Sequence, residues 1–153
     1  MKVTGKKSLS NFIKIVLEIL GMAGIAILIF LPWILNYYIN AFRLDLENLY
    51  GPCLILLYAS AIPMLIIVWQ AIKLFDLLKQ NTPFVMENVR YLKIASLCSA
   101  IIFTEYLIGI FFFRSVFILL VICIFLVAWI GLYIMSELFK QAVEFKEEND
   151  LTI

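Results

Sequence analysis

Glu105 stands alone as a carboxylate well within an apolar run of this 153-residue chain. A charge at the bilayer centre costs a few kcal/mol on insertion scales, so such residues face the protein interior and often serve a function. Two chemistries suit it. It is either a site for a cation, a proton or a basic group on a ligand, or a protonated, hydrogen-bonded carboxyl that fixes packing. Aligning the apolar runs by their middles puts Tyr58, Ser60 and Cys123 near the same depth. The candidate intramembrane polar site is therefore Glu105 with Ser60 and Tyr58.

Little else in the chain points to catalysis. There is no histidine, which removes the commonest general base and the commonest transition-metal ligand. No HExxH, nucleophile–base pair, paired acids at a common site or glycine-rich phosphate loop occurs. Tyr106 follows Glu105, but adjacent residues point to different helix faces. Cys53, Cys98 and Cys123 are an odd number with no CxxC pair, and a free thiol in an apolar run acts as a small hydrophobe. No enzyme activity, metal or cofactor is expected. Net charge is +1, and no basic cluster exceeds Lys6-Lys7, so direct nucleic-acid binding is not expected either.

The elements that position these residues are membrane spans. The chain is 65% hydrophobic and 15% charged, against roughly 45–50% and about 25% in a soluble domain. Four runs, at about 19–39, 53–74, 94–113 and 116–138, are long enough to cross about 30 Å of hydrocarbon. The first has too long an apolar stretch for a signal peptide and no A-x-A-like site after it. Trp33, Tyr37 and Tyr38 read instead as an interfacial anchor. Lys2, Lys6, Lys7, Lys14, Lys73, Lys79, Arg90, Lys93, Lys140 and Lys146 all fall on one side of these spans, leaving Arg43 and Arg114 on the other. The positive-inside rule makes the richer side cytoplasmic. The expectation is a single all-α membrane domain, a four-transmembrane-helix bundle with both termini inside.

Periodicity near 3.6 extends the helices past the hydrocarbon on that side. The apolar stripes are Leu9, Phe12, Ile13, Val16 and Leu17 before the first span, Ile72, Phe75 and Leu78 after the second, and Leu138, Phe139, Ala142 and Phe145 after the fourth. Between spans two and three, Thr82 suits an N-cap and Pro83 the first helical position. Short cytoplasmic helical extensions should thus form a collar. Thr82, Pro83, Phe84 and Asn88, with the acidic Glu144, Glu147, Glu148 and Asp150, are its candidate interaction surface. Glu18, Lys93 and Glu137 lie at similar depth and are candidates for ion pairs between helices, with Lys93 at the centre. Opposite, residues 40–52 form a short loop and the chain turns tightly near Arg114.

Within the membrane, Pro32 and Pro63 free the carbonyls of Leu28 and Ala59, which neighbouring groups must satisfy. Ala95, Ser96, Ser99 and Ala100 give span three a small-residue surface that permits close helix approach. Packing within one monomer and homo-oligomerisation account for that surface equally well.

Two stretches resemble a bacterial family, domain-of-unknown-function family 2975. Asn81-Thr82-Pro83-Phe84-Val85-Met86-Glu87-Asn88-Val89 is similar to its "PF-x-x-x-N" approach to the third helix. Glu147-Glu148-Asn149-Asp150-Leu151-Thr152-Ile153 is similar to its "E-x-D-L-T" ending, after a helix containing Glu137-Leu138-Phe139-Lys140. Length and span pattern agree over the whole chain. The resemblance implies a small four-helix protein of the bacterial cell membrane and no established activity. Because family members are often encoded beside a small helix-turn-helix regulator, it also implies a cytoplasmic regulator protein as partner. The leading expectation is a non-enzymatic interaction or regulatory protein whose partners are the lipid bilayer and such a regulator. Resistance to membrane-active compounds and small-molecule transport by an oligomer are the alternatives.

Overall fold

The computed structural model describes residues 3–42, 50–79, 85–113 and 115–151. Arg43, Asp45, Glu47, Thr82, Pro83, Phe84 and Arg114 lie outside them, as does the side chain of Asp150. The described chain forms four α-helices: α1 (Val3–Phe42), α2 (Tyr50–Lys79), α3 (Met86–Gly109) and α4 (Val116–Leu151). Each is long and apolar enough to cross a membrane. At 1.5 Å per residue α1 reaches about 60 Å and α4 about 54 Å, well beyond the hydrocarbon thickness. Only α3 approaches the length of a bare span.

The helices pack in chain order, α1 on α2, α2 on α3 and α3 on α4. Among the described residues α1 and α4 do not meet. The bundle is therefore an open row, with broad apolar faces left for lipid. α3 is the most buried of the four, and its sequence explains why. Val89, Leu92, Ala95, Ser96, Ser99 and Ile102 recur at three- and four-residue steps and are all buried, Ile102 to 1% exposure. Ser96 Oγ donates to the Trp129 carbonyl on α4 at 3.1 Å. The small-residue surface is thus used inside the monomer, where it brings α3 and α4 close.

α1 meets α2 along a second row of small residues. A methyl on Gly21 would sit 3.5 Å from Val68 Cγ1, and one on Gly24 3.7 Å from Leu65 Cδ2. One turn further, Pro32 leaves the Leu28 carbonyl without its helical N–H. Tyr58 on α2 supplies the replacement, its hydroxyl donating to that carbonyl at 3.2 Å.

Span three ends sooner than the apolar run suggests. α3 stops at Gly109, and residues 110–112 form a turn in which the Phe112 and Phe113 amides donate to the Gly109 carbonyl. Ser115 then caps α4, its Oγ accepting from the Phe117 amide at 3.3 Å. At the opposite end of α3, Val85 is extended (φ −134°, ψ 148°) and occupies the N-cap position with no side-chain cap. The described helix begins at Met86; Thr82 and Pro83, expected as its cap and first position, lie outside the described residues.

Substituting Tyr58→Phe should cost about 0.6 kcal/mol, typical of interhelical hydrogen bonds in membranes. In a Pro32→Ala background the Leu28 carbonyl regains its own helical donor, and the cost should fall towards zero. A double-mutant cycle on unfolding in lipid checks this; equal losses in both backgrounds would contradict the proposed exchange of donors.

Candidate functional site

Residues 58, 59 and 60 on α2 leave the helix about 100° apart, at 3.6 residues per turn, and the three do different things. Tyr58 turns to α1 and its freed carbonyl. Ser60 is buried, donates to its own Leu57 carbonyl at 3.1 Å, and sits 3.5 Å from the Tyr106 hydroxyl on α3. Ala59 faces a groove between α2 and α3 that Glu105 also lines. Glu105, Ser60 and Tyr58 therefore do not converge on one polar cluster. Cys123 is exposed on α4 and takes no part.

The groove is open on one side and encloses about 370 Å³. Ile55, Leu56 and Ala59 form its α2 wall, Ile108 and Gly109 its α3 wall, and Phe112 its rim. The helices are close at its edge, where a methyl on Gly109 would lie 3.1 Å from Leu56 Cδ2. Glu105 Oε2 is buried with no hydrogen-bond partner among the described residues. A lone acceptor in apolar surroundings can receive a proton, a cation or an N–H donor, and its desolvation is costly until it does.

A second, smaller cavity of about 90 Å³ lies between α2, α3 and α4, lined by Gln70, Tyr91 and Leu132 among others. Gln70 Oε1 is buried there, also without a partner among the described residues. Sequence reasoning missed it, although a glutamine inside span two is a visible signal. No group of His, Cys, Asp and Glu suited to a metal occurs among the described residues.

At the end that carries both termini, ion pairs tie neighbouring helices. Lys14 Nζ lies 2.6 Å from Asp76 on α2 and 3.7 Å from Glu18 on its own helix. Lys93 on α3 lies 3.0 Å from Glu137 on α4. Glu18 is thus held by Lys14 and not by Lys93. Asn88, expected on the interaction surface, is fully buried at 0% exposure; it sits on the packed stripe of α3, one residue before Val89. Glu144, Glu147 and Glu148 are exposed on α4. The stripe expected to cover that helix end is rotated: Val143 is buried at 2%, whereas Phe145 is 69% exposed.

The comparisons with known proteins are consistent with this architecture. The model of the family "Protein of unknown function (DUF2975)" matches residues 42–153. The chain belongs to that family. It is also similar to the uncharacterized membrane protein YoaS of Bacillus subtilis (strain 168), at 30% identity over 93% of this chain and 96% of the relative. No solved structure matches it. This DUF2975 member is accordingly a multi-pass membrane protein with four apolar helices, and the name carries no reaction with it.

Both Lys93 and Glu137 are more than one-third exposed, so their pair should contribute no more than about 1 kcal/mol. A thermal-denaturation cycle of Lys93→Ala and Glu137→Ala should show a small coupling that salt weakens. The corresponding cycle for Lys93 with Glu18 should be additive within about 0.5 kcal/mol.

Proposed function

We propose that this DUF2975 protein is a non-enzymatic interaction protein that holds a small cytoplasmic regulator at the cell membrane. The observation that carries the reading is the end of α4, which continues as one helix to Leu151 and presents Phe145, 69% exposed, among Glu144, Glu147 and Glu148. From Leu138 to Leu151 this is roughly 20 Å of helix at 1.5 Å per residue. The buried Val143 on the opposite side gives that projection a footing. The distribution of Lys and Arg supports a cytoplasmic position for this end.

An exposed aromatic with Glu148 one turn further on, on a helix end that also carries Glu144 and Glu147, suits a basic protein partner. Aromatic side chains are favoured interface anchors, and complementary charge raises the rate and specificity of encounter. DNA-binding modules carry basic faces that neutralise phosphate, and an acidic helix end can occupy such a face. The helix-turn-helix regulator implied by the family resemblance belongs to that class. Docking here would compete with DNA and so sequester the regulator.

Affinity purification of the tagged protein from its own host membrane, followed by mass spectrometry, tests this. A helix-turn-helix regulator should co-purify with the full chain. Phe145→Ala should weaken its retention by about 1–2 kcal/mol, roughly 5- to 30-fold, and reversal of Glu147 and Glu148 to lysine should weaken it further at low salt. Unchanged recovery with both variants, or recovery of the protein alone, counts against the reading.

A further inference from the structure

The groove at Glu105 lies away from the terminal end and has no part in the docking just described. Three features of it belong together. Glu105 Oε2 is a buried acceptor without a partner among the described residues. Ala59, which lines the same groove, has a carbonyl deprived of its helical N–H by Pro63. The remaining walls are hydrocarbon, and Ile55, Ile108 and Phe112 among them are exposed at the protein surface.

We propose that this groove is a binding site for an amphiphilic ammonium ion, entered sideways from the bilayer. The ammonium donates to the Glu105 carboxylate and to the Ala59 carbonyl, while the apolar body lies along Leu56, Ile108 and Phe112. A protonated primary amine has three N–H donors and therefore serves both acceptors at once. Opposite charge in a site of low dielectric strengthens the contact relative to water. An uncharged alkyl chain would leave the carboxyl oxygen unsatisfied, and an anion would meet it as a like charge. The volume, about 370 Å³, falls at the small end of the range of roughly 300–1,000 Å³ found for ligand pockets. A short-chain amine fits that space better than a whole phospholipid does.

The test uses the full chain in phosphatidylcholine nanodiscs at pH 7, with radiolabelled decylamine as the probe, decanol as its uncharged counterpart and empty nanodiscs as background. At that pH the amine is protonated, as a lysine side chain is. The expected result is decylamine binding above background and at least tenfold tighter than decanol, with Glu105→Gln removing that preference and leaving decanol binding unchanged. Equal affinity for amine and alcohol in the wild-type protein would mean that the groove does not recognise the positive charge, and would overturn the proposal. So would no binding above background, or an undiminished preference in Glu105→Gln. The wild-type comparison alone decides the matter if the variant does not fold. None of these outcomes bears on regulator docking at α4.

Discussion

In hydrocarbon a backbone carbonyl has no water to turn to, and everything in this molecule answers to that. Helices satisfy the requirement internally, which is why the described apolar chain is helical outside the turn at residues 110–113. Two prolines break the arrangement locally. At Pro32 the repair comes from the neighbouring helix, through the Tyr58 hydroxyl. That bond joins α1 to α2, which also meet where Gly21 and Gly24 lie against Val68 and Leu65. At Pro63 the freed carbonyl belongs to Ala59, on the groove that also holds the Glu105 carboxyl. The same chemical break thus meets a hydroxyl of the neighbouring helix in one place and falls at a groove-lining residue in the other.

The four helices and their approximate spans could be read from hydropathy because each run is long and apolar. What hydropathy does not encode is which neighbour each face meets. The groove at Glu105 depends on a rotation of α2 against α3 that places Ala59, not Tyr58 or Ser60, opposite the carboxyl. Asn88 looked like a surface residue because it is polar and near a connector, yet it shares a stripe with Val89 and Leu92 and is buried with them. The stripe after span four could be drawn through Phe145 or through Val143. Both satisfy a helical period, and only the position of α3 chooses between them. The early end of α3 at Gly109 was hidden by the continuing apolar residues 110–113, which are equally at home in a membrane-level turn.

An open row makes unequal demands on its members. α3 has helices on both sides, and it carries the small and hydroxylated residues that allow close approach. α1 and α4 each pack on one neighbour, so most of their circumference is solvated by lipid and can remain uniformly apolar. Serine hydroxyls within these apolar helices need an acceptor. Ser99 and Ser136 find it in carbonyls of their own helices, while Ser96 reaches across to α4. The polar groups of this protein thus report its packing more sharply than its abundant hydrocarbon does.

The two ion pairs at the terminal end bear on how the chain is made. Lys14–Asp76 latches α1 to α2, and Lys93–Glu137 latches α3 to α4, so each closes a hairpin of consecutive helices. At synthesis rates of about 5–20 residues per second, the first hairpin is complete seconds before the last helix has left the ribosome. Biogenesis can then proceed by lateral release of one latched pair followed by the other. The seam between α2 and α3, with its Ser60–Tyr106 contact and its groove, lies between the two helix pairs so joined.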